Sequence, residues 1–257
     1  MTRLPRVIPV LLISDGYLVK PVAFQGGKYI GDPINAVRIF NEKQVDELIL
    51  CDIDASVKRT PIDFRLIEEV ASEAFMPVAY GGGVSSAEEA RRIAQIGIEK
   101  VIVNSALRDN PGLVTDISGA LGQSSTVVSI DAKRKRFGSG WDTYTHRGSR
   151  SLGMTPVQLA VRAQELGAGE LILSSIDRES SFSGYDFKLI EAVSRAVTIP
   201  VVALGGARGF DDFRPAMEMG ASAVAAGSMF VLNGKHRAVL ISYPTPEQIR
   251  SLRLEMP

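Results

Sequence analysis

Four short runs of glycine and small polar residues could cradle an anion. They are Gly81-Gly82-Gly83, Asn104-Ser105, Gly205-Gly206-Ala207 and Gly227-Ser228. Glycine lets backbone N–H groups approach a ligand oxygen closely. A helix starting just beyond adds unpaired donors and partial positive charge. Gly83, Asn104 and Ser105 would form one phosphate site, and Gly206, Ala207, Gly227 and Ser228 a second. The plainer alternative is that the glycines only make tight turns. Four such runs in matching places favour phosphate, and a ligand with a phosphate at each end would fit. Gly227-Ser228, ahead of Met229-Phe230, also suits the short extra helix that often grips phosphate after the last strand of an α/β barrel, which makes this the stronger signal.

Other reactive side chains are sparse. The one cysteine, Cys51, excludes an intrachain disulfide, and its apolar run Leu48-Ile49-Leu50-Cys51 points to a small buried core residue. The two histidines, His146 and His236, are far apart in sequence, so no metal site is expected, and nothing calls for a cofactor. His146 follows Trp141 and Tyr144 in a glycine-containing, hairpin-like insertion. Lys133-Arg134-Lys135-Arg136 reads as a solvated loop. The 29 basic and 29 acidic side chains cancel, so no general attraction to nucleic acid or an anionic membrane is expected. No apolar stretch approaches the roughly 18 residues of a membrane span. Strand-like sequence starts by Arg6 with no signal peptide ahead of it, so a cytoplasmic protein is the expectation.

These residues need a frame. Eight apolar, β-branched runs alternate with helix-period segments: Val7–Ile13, Leu48–Ile53, Pro77–Tyr80, Val101–Val103, Thr126–Ile130, Leu171–Ser174, Val201–Leu204 and Ala223–Ala226. Helices are predicted over Asp63–Ala74, Ser86–Ile96, Pro156–Leu166, Asp186–Ala196 and Asp211–Met219. Nearly all-apolar runs suit parallel strands covered on both faces. Eight of them in 257 residues predict a single-domain (β/α)8 TIM barrel. The chain also repeats. Asp46-Glu47-Leu48-Ile49-Leu50 matches Gly169-Glu170-Leu171-Ile172-Leu173, an offset of 169 minus 46, or 123. Pro77 through Asn104-Ser105 matches Pro200 through Gly227-Ser228, where 200 minus 77 is again 123. Two half-barrels of four units each follow.

Motifs along almost the whole chain carry a resemblance. They include Ile8-Pro9, Asp15-Gly16, Lys20, Gly31-Asp32-Pro33, Asp46-Glu47-Leu48, Asp52-Ile53, Gly81-Gly82-Gly83, Lys100-Val101, Ser129-Ile130-Asp131-Ala132-Lys133, Ser175-Ile176-Asp177-Arg178 and Ser183-Gly184-Tyr185-Asp186. Together they resemble the cyclase subunit of imidazole glycerol phosphate synthase. The resemblance implies a barrel that receives ammonia through its core from a docked glutaminase, then cleaves and cyclises a substrate with two phosphates. It places Lys20 and Asp52 near the mouth, and puts Phe24-Gln25-Gly26-Gly27-Lys28 in a long loop whose glycines suit a mobile lid.

The family's two catalytic aspartates end strands 1 and 5. Asp131 is the second of them, but alignment on Ile8-Pro9 and Asp15-Gly16 puts Leu12 at the first. Leucine cannot move a proton. General acid–base help is worth roughly 10²–10⁴-fold, so a cyclase needing both groups should be severely impaired. After strand 6 the family's Asp-Arg-Asp-Gly-Thr reads Asp177-Arg178-Glu179-Ser180-Ser181, which should reshape the phosphate grip there. The family's bottom gate of four charged residues is retained as Arg6, Glu47, Lys100 and Glu170.

A broken upper pair over a retained gate resembles a branch of this family that accompanies a second glutaminase and an ATP-dependent N-acetyl sugar amidotransferase. That branch places acetamidino groups on bacterial surface polysaccharides (lipopolysaccharide O-antigen), and the opening Ile8-Pro9-Val10-Leu11-Leu12 and the tail from Gly227 to Ile241 look like it. The leading expectation is therefore an ammonia-conducting subunit of a glutamine-dependent amidotransferase assembly. The alternatives are a working cyclase of histidine biosynthesis and a non-catalytic scaffold that binds a phosphorylated small molecule. The leading one fails if another carboxylate lies opposite Asp131, close enough to share the proton shuttle.

Overall fold

A computed structural model describes residues 5–252. Eight parallel strands close a barrel: β1 (Arg6–Ser14), β2 (Leu48–Asp52), β3 (Val78–Gly81), β4 (Lys100–Val103), β5 (Thr126–Arg134), β6 (Glu170–Ser175), β7 (Val201–Leu204) and β8 (Ala223–Ala226). β1 lies between β8 and β2, and β5 pairs with β6 to complete the ring. The (β/α)8 expectation holds.

The closure follows from two-residue alternation. On β1, Val7, Leu11 and Ile13 point outward into the layer beneath the helices. Ile8 and Val10 point inward and meet Ile49, Ala79, Ile102, Val127, Ile172, Val202, Ala223 and Ala225 in a separate apolar lumen. Leu12, Cys51 and Leu204 cap that lumen at its upper end. Cys51 is thus half-buried at the top of the lumen rather than in the main core, and burial pushes its thiol up to about 12.

The outer helices are α1 (Pro33–Glu42), α2 (Phe64–Glu73), α3 (Ala87–Gln95), α4 (Leu113–Leu121), α5 (Pro156–Glu165), α6 (Phe187–Ser194) and α7 (Phe213–Glu218). The side chains of Asp32, Asp63, Ser86, Thr155 and Asp186 accept backbone N–H groups at helix starts, with capping boxes at Ser86 and Thr155. Such caps contribute about 1 kcal/mol each.

Two antiparallel hairpins rise from the upper rim. β1 continues into a ribbon of Tyr17–Val22 and Gln25–Gly31, so the segment expected as a lid loop is strand in all but Phe24. β5 continues into Trp141–Thr145 and Arg150–Ser151, the expected insertion. Within the basic run expected as a solvated loop, Lys133 and Arg134 extend β5, and Arg134 pairs with Asp186.

Candidate functional site

The lower end of the lumen is closed by charge. Arg6 Nη1 lies 2.6 Å from Glu47 Oε2, and its other nitrogen binds Glu170 Oε1. Lys100 Nζ lies 2.8 Å from Glu47 Oε1 and 2.7 Å from Glu170 Oε2. The four side chains therefore alternate in sign around a ring, each carboxylate held by two cations. Burial raises the Glu170 carboxyl, but Arg6 and Lys100 outweigh it and leave the group below its ordinary value. Shared hydrogen bonds offset much of the desolvation that burying such charges costs.

The upper end opens into a cavity of about 610 Å³, within the usual range for a small-molecule site. Val10, Ile49, Ile102 and Ile172 belong to both the apolar interior and this cavity, so the cavity floor rests directly on the barrel's apolar layer. Six expected site residues border it: Lys20, Asp52, Gly83, Asn104, Ser105 and Asp131.

Asp131 sits near the mouth end of β5. Asn104 Nδ2 donates to its Oδ2 at 3.2 Å, and Ser129 Oγ to its Oδ1 at 3.4 Å. Burial pushes the carboxyl up to about 7; these two bonds pull it down and the charge of Glu179 raises it further. A carboxyl poised near neutrality in a cleft suits proton transfer. Leu12 borders the same cavity, as the alignment with a catalytic aspartate requires.

Glu179 is the residue that sequence reasoning missed. Its side chain is 5% exposed, borders the cavity and is ion-paired with the equally buried Lys20. The mouth therefore does hold a second carboxylate near Asp131, although one already neutralised. The signal was available: Glu179 is the third residue of the departing segment, still acidic but one methylene longer than the family's aspartate. Lys20 is correspondingly committed to Glu179. Asp52 Oδ1 accepts N–H bonds from Asp54 and Ala55 at 2.9 and 3.0 Å, so it shapes the loop after β2 as well as facing the cavity.

The second expected phosphate site is not brought to the cavity: Gly206, Ala207, Gly227 and Ser228 do not border it. Ser228 and Ala207 are buried, and Ser228 Oγ donates to Ser180 Oγ at 2.7 Å. The plainer view of the glycines holds in part. A Cβ on Gly82 would lie 2.9 Å from the backbone nitrogen of Asp52, and one on Gly205 2.8 Å from the carbonyl oxygen of Ser175. These two glycines let adjacent strand ends pack. His146 has no metal-binding company: among the described residues no group of three or more His, Cys, Asp or Glu side chains could hold an ion. Among those residues, too, no helix is long and apolar enough to cross a membrane.

Comparison with known proteins agrees with this architecture. The family described as histidine biosynthesis protein matches residues 6–237. The chain is 49% identical over 240 residues, 93% of its length and 95% of the relative's, to a Pseudomonas aeruginosa protein provisionally named imidazole glycerol phosphate synthase subunit hisF2. It is 43% identical over 249 residues (96% and 98%) to a Leptospira interrogans protein provisionally named subunit HisF of that synthase. It is 40% identical over 225 residues (88% and 89%) to the imidazole glycerol phosphate synthase subunit HisF of Pyrococcus furiosus. A barrel with a charged floor, an apolar lumen and Asp131 at its mouth, matched along nearly its whole length, belongs to the HisF family of histidine biosynthesis proteins.

Proposed function

We propose that this HisF-like barrel is the ammonia-conducting subunit of a glutamine-dependent amidotransferase assembly. A glutaminase docks at the lower face, and ammonia crosses the charged ring and lumen toward a partner that forms an acetamidino group on an N-acetyl sugar of a surface polysaccharide. The carrying observation is the stacking of three layers: a closed ring of Arg6, Glu47, Lys100 and Glu170, an all-apolar barrel interior above it, and a cavity beside Leu12 at the top. Neutral ammonia can cross an apolar passage that excludes ammonium, because an unpaired charge there is far costlier to bury than a small neutral polar molecule. Phe75, 90% exposed, stands on the α2–β3 connection at the same end as the ring and offers an aromatic anchor to a docking partner.

Lys100→Ala tests the conduit. Glu47 and Glu170 would then share Arg6 alone, and the ring would open on one side. The expected result is retained glutaminase binding with a several-fold drop in amidated product per glutamine hydrolysed. If no glutaminase copurifies with the chain, or the coupling is unchanged, the conduit reading fails.

Glu179 favours a second reading, a working cyclase. It supplies a carboxylate to the cavity that lost one at Leu12. Turnover of the family's diphosphate substrate with added ammonia at a biosynthetically useful rate, abolished by Glu179→Gln, would establish that reading instead.

A further inference from the structure

Beyond β8 the chain makes one helical turn, Ser228–Val231, and then a small hairpin that joins no barrel strand, Leu232–Asn233 against Ala238–Val239. It stands on the mouth side of the barrel, away from the charged ring. Its turn, Gly234-Lys235-His236-Arg237, is held from three directions. The Arg237 backbone N–H donates to Gly234 O at 3.0 Å, and the Lys28 ammonium of the β1 ribbon donates to Arg237 O at 2.6 Å. The Arg237 guanidinium lies 5.2 Å from the centroid of the Phe182 ring. Arg237 keeps a left-handed backbone at φ +49°, which is uncommon away from glycine and persists where surrounding contacts enforce it. The tip is therefore positioned, although residues 233–240 are all exposed.

Beside the hairpin lies a second cavity of about 470 Å³. Arg208, Lys235 and Arg237 border it, and no acid does. Asp212 answers Arg208 at 2.6 Å, whereas Lys235 and Arg237 have no carboxylate within 4.0 Å among the described residues. Concave sites lined by one sign of charge concentrate the opposite sign. A small anion would need only these cations, but the hairpin offers more. Val239 is 44% exposed and pairs directly with Leu232, a wall of the cavity, so both side chains stand on one face. The half-exposed Leu240 follows it. Apolar side chains beside complementary charge are the make-up of a protein contact surface, and a tip already held in place lowers the ordering cost of binding. None of Gly206, Ala207, Gly227 and Ser228 borders this cavity, so it is separate from the glycine turns described above.

We propose that this basic hairpin and its cavity are a docking surface for an acidic segment of a partner protein. Carboxylates of that segment meet Lys235 and Arg237, and its aliphatic side chains cover Val239 and Leu240. The partner's identity rests on the conduit reading, which makes it the enzyme that takes up the ammonia: the hairpin lies at the mouth end and leaves the lower face to the glutaminase.

The first test titrates the full chain with a short peptide of alternating glutamate and leucine, followed by backbone amide chemical shifts. Saturable shifts at Asn233, Gly234, Lys235 and Val239 are expected, with none at Gly83 or Ser105 in the larger cavity. Lys235→Ala combined with Arg237→Ala should weaken the peptide about tenfold or more, and added salt should weaken its binding to the unmodified chain. Both side chains are exposed and outside the barrel, so the fold should survive their loss. The same peptide with glutamine for glutamate should not bind. Equal binding of the glutamine peptide, or no saturable shift, would overturn the proposal. So would inorganic phosphate moving the same amides at lower concentration than the peptide, since the cavity would then be a small-anion site. The second test uses the barrel with its glutaminase and the ATP-dependent N-acetyl sugar amidotransferase. Lys235→Glu with Arg237→Glu should weaken the amidotransferase about tenfold or more while the glutaminase stays bound. An amidotransferase held equally well by both forms would overturn the proposal. One that binds neither form counts against the conduit reading, and the peptide titration then decides the surface by itself.

Discussion

Replacing Asp131 with asparagine should make the protein more stable at alkaline pH while impairing whatever proton transfer occurs at the mouth. The Asp131 carboxyl is held at about 7 in the fold, above the ordinary 3.8, chiefly by burial. The unfolded chain therefore releases this proton near pH 4 and the native state near pH 7. Between those values the native state binds more protons, so stability falls as pH rises, by about 1.4 kcal/mol per unit. Below pH 4 the carboxyl costs nothing, and above pH 7 the accumulated cost is at most about 4 kcal/mol. The substituted amide would keep the size without the ionisation: its oxygen can accept from Asn104, and the Ser129 hydroxyl can rotate to accept from its NH2. Urea melts of both proteins at pH 5 and pH 8 check this. The variant's advantage should grow by about 2.5 kcal/mol across that span, from about 1.5 kcal/mol to about 4 kcal/mol. Subtracting the two proteins cancels other groups, including Glu170, which is lowered and so titrates at more acid pH. An advantage that does not grow with pH would refute the burial argument and with it the poised carboxyl.

Three further outcomes follow from named contacts. Lys20→Met should destabilise by about 3–5 kcal/mol because it strands a buried carboxylate, whereas adding Glu179→Gln should restore most of that loss in a double-mutant cycle followed by urea denaturation. Thr155→Ala removes the capping box of α5 and should cost about 1 kcal/mol by thermal melting. Leu12→Asp returns a carboxylate to the cavity. If its absence is what limits cyclisation, turnover of the family substrate should rise by roughly 10²-fold or more, and no rise would mean that the lost carboxylate is not the limiting feature.

The frame was legible because it is local. Val201–Leu204 and Ala223–Ala226 appear as expected, since an apolar run between helical segments determines a buried parallel strand without outside help. β1 and β5 run past their expected ends at Ile13 and Ile130 because each continues into an antiparallel ribbon beyond the barrel rim. The helix expected at Asp211–Met219 begins instead with a tighter turn at Phe210–Asp212, ahead of Phe213–Glu218. The charged ring was readable only through resemblance, because Arg6 and Glu170 lie 164 positions apart. The Lys20–Glu179 pair was not readable at all. Whether Glu179 reaches Lys20 across 159 positions depends on one methylene and on where the hairpin after β1 lands. Glycine runs announce a backbone path, and they say nothing of the side chains that later fill it: Gly227 is present as expected, with the Lys20 ammonium lying against it.

Leu12 and Glu179 are best understood together. Glu179 is the counter-charge of buried Lys20 in this chain, and leaving that lysine unpaired would cost several kcal/mol. The acid after β6 is one methylene longer here than the family's aspartate, and this longer arm makes the pair. Beside that pair, Ser180 and Ser228 are joined by their hydroxyls, so the loop after β6 is tied to the start of the segment after β8. A barrel that needed two proton-transfer groups at its mouth would lose one of them through Leu12. A barrel that delivers ammonia onward would lose neither of the things it needs, because the ring at Lys100 and the lumen from Ile8 to Ala225 lie below the altered layer. Both substitutions lie at the upper rim, one on each half of the barrel, while the charged ring below is intact, and that pattern favours a changed task at the mouth over general decay.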